Sequence, residues 1–210
     1  MESVLKTLAF FDVLNCAPTL DEVWRFQYGG REDKEAVRRF LKNHPRIVES
    51  DGFFALRGRE ELFELRREKM RQSELHMRRV RKYEWLLKHV PFVRAVFVCN
   101  NVALGNATEK SDIDLFVIAR SGRLFLARVL LTALLHLLGV RRHGTKIAGR
   151  FCLSFWISEE ELDIRHIALC GDDGNEKDDP YLAFWFHSLI PIVDRGVAHS
   201  FFKANAGFLV

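Results

Sequence analysis

The chain has 210 residues, 48% hydrophobic and 29% charged, with a net charge of +4. That is the balance of an ordinary soluble globular protein, and it excludes a mini-scaffold that depends on disulfide staples. The small positive charge permits contact with nucleic acid or nucleotides without requiring it.

The cysteines Cys16, Cys99, Cys152 and Cys170 are scattered, and none forms a CxxC pair. They read as buried thiols in a reducing compartment, which points to the cytoplasm. Glu2 stands where a signal peptide would carry a basic residue. The longest apolar run, 124–140, contains Arg128 and His136 and is shorter than the ~20 residues of a bilayer span. It is expected to form a buried core helix, and no membrane association is expected.

In chain order, residues 1–58 read as a small helical unit closed by a hairpin. Val4, Leu5, Leu8, Phe11 and Leu14 recur at helical spacing. Thr19 followed by Glu22 is a capping-box pattern, and the helix it opens is expected to end near Gly29 and Gly30. A third helix is expected from Asp33, with Val37, Phe40 and Leu41 on one face, stopping before Pro45. Asp51-Gly52 between two apolar runs predicts a β-hairpin.

Residues 59–90 lack Gly and Pro and interleave acids with a basic excess. They predict a long connecting helix, with Leu62, Leu65, Met70, Leu75, Val80, Trp85 and Leu86 as its apolar contacts. Glu74 with Arg78 is a favourable pair within it.

Residues 91–210 predict an α/β or α+β domain. Strands are expected at 93–99, 113–119 and 151–157, with a helix at 122–140. A helix is expected from Tyr181 to Ile190, interrupted at Pro191, and a further helical run from Val193 past His199 and Phe202. Residues 100–111 and 171–179 read as polar loops.

Within the second strand, Asp112 and Asp114 are two residues apart, so both carboxylates project from one face while Ile113 and Leu115 point into the core. Two carboxylates held close repel unless a cation lies between them. Mg²⁺, with its preference for oxygen ligands, fits that need. Asp112 and Asp114 are therefore the candidate metal-binding and catalytic residues. The preceding loop, with Gly105, brings backbone N–H groups toward a phosphate, and Ser111 caps the turn into the strand.

The segment 96–118 resembles the signature of the polymerase-β-like minimal nucleotidyltransferases: an apolar strand, a turn with a short helix, then Ser111-Asp112-Ile113-Asp114-Leu115. The first quarter resembles a winged helix-turn-helix domain. Together these imply an α+β chain: a winged-helix-like domain (1–58), a connecting helix (59–90) and a nucleotidyltransferase-type mixed sheet with packed helices (91–210). The implied activity is Mg²⁺-dependent transfer of a nucleoside monophosphate from an NTP to an unidentified hydroxyl acceptor. Asn100, Asn101, Gly105 and Ser111 are the implied nucleotide contacts. In the first domain Lys34, Arg38, Arg39 and Lys42 are candidate nucleic-acid contacts, and a packing module with those charges solvated is the competing reading.

Two departures from the family pattern stand out. Its Gly-Ser falls on Asn100-Asn101; asparagine tolerates a left-handed turn, so Asn100 can keep it. Its third carboxylate is missing. Cys152, Ser154 and Trp156 are expected to share the relevant face of the third strand, with Ser154 at the acid's position and Glu159, Glu160, Glu161 and Asp163 just beyond. Three outcomes stay open: an enzyme with a displaced acid, a weak enzyme, or a silent fold acting as a DNA-binding, regulatory or partner module, with an oligomer allowed. His143 and Lys146, near Arg141 and Arg142, read as a surface basic loop, with a place against the triphosphate tail as the competing reading. His166, His187 and His199 have no metal-ligand spacing. The four tryptophans read as core or interface residues.

Overall fold

The local start and turn signals are satisfied by side chains close in sequence. Thr19 and Glu22 form the reciprocal capping box that opens α2 (Leu20–Arg25), after α1 (Glu2–Val13). Asp33 caps α3 (Lys34–Asn43) by accepting from the Ala36 N–H at 2.9 Å. The hairpin of β1 (Ile47–Ser50) and β2 (Phe53–Leu56) turns through Asp51 and Gly52 at φ +51° and +80°. Two successive positive φ values match the twist of the flanking strands, which is why Asp-Gly works here. Val4, Leu8, Val23, Val37, Leu41, Ile47 and Phe54 form the core beneath these elements. Phe54 also donates to the Pro18 carbonyl at 2.8 Å, beside a bridge between Thr19 and Phe53.

The computed structural model describes residues 1–27, 30, 32–169 and 179–209. Gly29, Cys170 and nearly all of the expected loop at 171–179 lie outside them. By its contacts the chain divides into Met1–Met70 and Arg71–Leu209, a boundary inside α4 (Glu61–His89).

The buried positions of α4 follow a three- and four-residue rhythm through Leu62, Arg66, Lys69, Ser73, His76, Val80 and Leu87. The expected apolar contacts Met70, Leu75 and Trp85 are instead exposed, Trp85 by 70%. Polar residues hold the middle of the buried stripe because each has a partner. Arg66 donates to Glu22 at 2.5 Å and to the Cys16 sulfur at 3.0 Å, and Lys69 donates to the Asn15 carbonyl at 2.9 Å. In the second unit Ser73 accepts from the Ala107 N–H at 3.0 Å.

That second unit is α+β, with a mixed sheet of four strands in the order β5-β4-β3-β6. β3 (Val93–Val98) and β4 (Ile113–Ala119) are central, antiparallel and almost wholly buried; β5 (Phe151–Ser158) runs parallel to β4 at one edge. Helices cover both faces. Ile113, Leu115 and Val117 pack with α4 and with Ala127, Leu131 and Leu135 of α6 (Leu124–Leu137). Phe116 and Ile118 face the other way, toward α7 (Pro180–Ser188) and α8 (Ala198–Ala204). Phe97, Phe116, Trp185 and Phe201 meet there with ring centroids 5.2–5.7 Å apart.

Three expectations are corrected. Ile190–Asp194 forms β6, antiparallel to β3, where a helix and a helical run were expected. Pro191 lies on an edge strand, where a missing N–H is tolerated, beside a register shift. Residues Asn100–Ala103 form a one-turn helix, α5, in place of loop. The helix α6 is only half buried: Phe125, Val129 and Leu137 are exposed. No helix among the described residues is long and apolar enough to cross a membrane.

Candidate functional site

The candidate site lies where β3 ends and β4 and β5 begin. Period-two alternation puts Asp112 and Asp114 on the face they share with Phe116 and Ile118, while Ile113 and Leu115 enter the opposite core layer. The strand is positioned from both ends of its entry turn. Thr108 N–H donates to Ser111 Oγ at 2.9 Å, Gly149 N–H to the Ser111 carbonyl at 2.8 Å, and Ile113 N–H to the Arg150 carbonyl at 2.8 Å. His76 of α4 lies 3.4 Å from the Thr108 carbonyl and supports the same turn.

Asp114 is gripped from both flanking strands. Asn100, just past β3, donates from Nδ2 to Asp114 Oδ2 at 2.9 Å. Ser154 of β5 donates from Oγ to Asp114 Oδ1 at 2.5 Å. Asn100 has φ +56°, a left-handed conformation that asparagine tolerates and most side chains do not. The expected turn is thus kept without glycine, and the same side chain reaches the carboxylate.

Asp112 is held differently. Arg142 donates from Nη1 to Asp112 Oδ2 at 2.6 Å and lies 3.7 Å from the Cys152 sulfur. This bond to Asp112 holds the guanidinium pKa above its ordinary value. Asp112, Asp114 and Cys152 offer three donor atoms within 4.8 Å of one another, two hard carboxylate oxygens and one soft sulfur. Burial, more than any neighbour, pushes the Cys152 thiol up. Cys99 is pushed up by its burial first and then by Asp114.

The sheet also explains which residues of β5 reach the site. The register runs Leu115 with Leu153 and then Phe116 with Phe155, so Ser154 is the extra residue of a bulge. The bulge aims Ser154 at Asp114 and turns Trp156 to the opposite face, where it packs with the α4 and α6 layer. Trp156 therefore does not share the face of Cys152 and Ser154, contrary to simple alternation.

Three of the four acids beyond β5 are engaged elsewhere. Glu159 pairs with Arg94 at 2.7 Å, Glu160 with the Ser121 hydroxyl, and Asp163 with Arg165 at 2.5 Å. The Glu159 N–H donates to the Ala119 carbonyl, at the far end of β4 from Asp114. Five residues of strand separate these ends, about 17 Å. None of these three supplies a displaced third carboxylate.

Among the other expected contacts, Asn101 is exposed on α5, and Gly105 follows that helix at φ +64°. The Ser111 hydroxyl is engaged with Thr108. His143 and Lys146 are exposed and close a tight turn through their backbones. In the first unit Lys34 pairs with Asp21 and lies 5.8 Å from the Trp24 ring centroid, while Arg38 pairs with Glu35 at 3.5 Å. Arg39 and Lys42 are exposed on α3. Sequence reasoning missed Arg142 as a partner of Asp112. Its only sequence signal is membership of the basic run Arg141-Arg142-His143 in the connection from α6 to β5, the strand whose start adjoins the start of β4. The chain matches no family model, no curated protein and no solved structure.

Proposed function

We propose that Arg71–Leu209 is a nucleotidyltransferase-type domain of the polymerase-β-like kind. It binds an NTP with Mg²⁺ and transfers the nucleoside monophosphate to a hydroxyl acceptor. The observation that carries this reading is the pair Asp112 and Asp114 on one face of β4, with the left-handed Asn100 turn bonded to Asp114.

The donor set fits the ion. Mg²⁺ is commonly held by one or two carboxylates, with water and substrate phosphates completing its shell. Asp112 and Asp114 supply the carboxylates, and each carboxylate retains lone pairs beyond the bonds it accepts here. When bound, the ion supplies charge neutralisation between the carboxylates and the phosphates. The chain's own residues do the positioning. Asn100 and Ser154 fix the rotation of the Asp114 carboxylate, while Arg142 holds Asp112 in the absence of the ion. In the transfer, the acceptor oxygen bonds to the α-phosphorus and the bond from that phosphorus to the bridging oxygen breaks. Pyrophosphate leaves with the electron pair, and the hydroxyl proton passes to water.

Nucleotide binding without turnover is the second reading. It is favoured by the Arg142–Asp112 ion pair and by a third donor that is a thiol. General-base assistance is worth about 10²–10⁴ in rate, and its absence would leave a weak or silent catalyst. In either case the helix order and hairpin of Met1–Met70 support a winged-helix-like module. There Arg38, Arg39 and Lys42 are the residues offered to a nucleic-acid backbone, since Lys34 is committed to Asp21. The melting temperature with and without Mg²⁺ and each NTP, combined with a pyrophosphate-release assay, tests the two readings. Binding with release supports the first, binding alone the second, and no binding at millimolar nucleotide refutes both.

A further inference from the structure

Beside the paired aspartates, on the β5 side, lies a cleft of about 380 Å³. Small-molecule sites begin at about this size. Its walls are Arg128 and Thr132 of α6, then Arg141, Arg142, His143 and Gly144, with Phe151, Cys152 and Leu153 of β5. No carboxylate among the described residues lines it. Neither Arg128 nor Arg141, both lining residues, has an acidic partner within 4.0 Å among the described residues. The surroundings are positive as well. His143 is held below the ordinary imidazole value by desolvation first and then by His136, Lys146, Arg150 and Arg141.

The cleft joins the aspartate site through two of its own walls. Arg142 donates to Asp112, and the Cys152 sulfur belongs to the donor cluster. Its position relative to Asp114 is informative. Asn100 approaches Asp114 from the β3 side, whereas the cleft opens on the β5 side. Its α6 wall belongs to the layer opposite the carboxylates, so the recess meets them at the β5 edge through Arg142 and Cys152, away from the Asn100 turn.

We infer that this cleft binds the acceptor, and that the acceptor is a small phosphomonoester carrying a hydroxyl group. The inference rests on the reading given under Proposed function and adds the chemical class of the second substrate. Arg128 and Arg141 hold the phosphate, because guanidinium forks match phosphate oxygens in geometry and charge. The hydroxyl then points past Arg142 toward Asp112, where its oxygen bonds to the α-phosphorus, pyrophosphate departs and the proton passes to water. The competing source of the same chemistry is the triphosphate tail of the NTP itself.

Calorimetry on the full chain separates these sources, using inorganic phosphate and glycerol 3-phosphate as probes, glycerol as the uncharged control, and NTP with Mg²⁺ in a parallel arm. Both phosphate probes are expected to bind, and glycerol is not. The double variant Arg128→Gln/Arg141→Gln is expected to weaken phosphate binding at least tenfold while NTP·Mg²⁺ binding and the unliganded melting temperature stay within error. Asp114→Asn is expected to do the reverse, abolishing NTP·Mg²⁺ binding and sparing the phosphate probes. No binding of either probe at 10 mM (a concentration on the order of the weakest meaningful site) overturns the inference. So does equal binding to wild type and the double arginine variant. Loss of NTP·Mg²⁺ binding in that variant assigns the cleft to the triphosphate and also overturns it. Failure of the nucleotide arm alone, with phosphate binding intact, strikes the nucleotidyltransferase reading instead.

Discussion

Arg142 and a divalent cation are rivals for the same carboxylate, and replacing Arg142 by methionine tests this. Methionine keeps much of the apolar stem and removes the charge. The guanidinium donates to Asp112 at 2.6 Å. At an effective dielectric of 20, unit charges ~4 Å apart attract by about 4 kcal/mol. The Arg142 side chain is 44% exposed, however, and Asp112 16%, so water screens the pair. Pairs of this kind are worth roughly 1 kcal/mol. A cation entering the site must displace or outweigh that bond. Its removal should therefore tighten Mg²⁺ or Mn²⁺ binding about fivefold, since 1.4 kcal/mol is tenfold. The metal-free protein should lose up to about 1 kcal/mol of stability, because the carboxylates then repel without a compensating charge. Calorimetric titration of Mn²⁺ into wild type and Arg142→Met reads the first effect, and urea unfolding in EDTA reads the second. Unchanged or weaker cation binding in the variant would refute the rivalry.

Asn100 carries two separable terms. Asn100→Gly loses the bond to Asp114 but keeps the left-handed turn, whereas Asn100→Ala loses both; the alanine variant should unfold about 1 kcal/mol more easily than the glycine variant in urea. Equal stabilities would mean that the turn has relaxed. Cys152 is half-buried, while Cys16 and Cys99 are almost fully buried and burial lifts Cys16 to about 11. Alkylation of the native protein at pH 8, followed by peptide mapping, should modify Cys152 before either of them. Asp163 is held down to about 2, first by its bond from Arg165. A depressed carboxyl pKa stabilises the fold above the ordinary value near 4, and that stability is lost as pH falls through 2. The pair is largely exposed, so Asp163→Asn should cost at most about 1 kcal/mol at pH 7, and unfolding curves of variant and wild type should converge between pH 4 and 2. A difference that does not shrink between pH 4 and pH 2 would contradict this sign.

What was legible in the sequence is what is decided within a few residues. The Thr19–Glu22 box, the Asp33 cap and the Asp51-Gly52 turn each satisfy their own backbone, so their residues announce them. The common face of Asp112 and Asp114 follows from strand geometry alone. What was hidden depends on partners far along the chain. Arg142 meets Asp112 across 30 residues, only because the start of β5 adjoins the start of β4. The bulge at Ser154 shifts the phase of β5, so alternation predicts Cys152 and Ser154 but misplaces Trp156. The buried stripe of α4 was unreadable because Arg66, Lys69, Ser73 and His76 are hydrophilic; each is buried on the strength of a partner elsewhere. The run 124–140 misled in the opposite direction. Apart from Arg128, Thr132 and His136 its side chains are apolar on every side of the helix, yet the sheet covers only the Ala127, Leu131 and Leu135 side. β6 contains a proline that reads as a helix breaker and sits in the structure as an edge-strand residue.

The central claim is that Asp112 and Asp114 hold a divalent cation with a nucleotide. Thermal unfolding of wild type and Asp114→Asn, each with millimolar NTP and Mg²⁺, tests it most directly. Ligand at ten times its dissociation constant stabilises by about 1.4 kcal/mol. For a chain of this size that is a rise of roughly 3–6 °C. The account predicts this rise in wild type only when NTP and Mg²⁺ are both present, and none in Asp114→Asn. The absence of a shift in wild type, or an equal shift in both proteins, would contradict it.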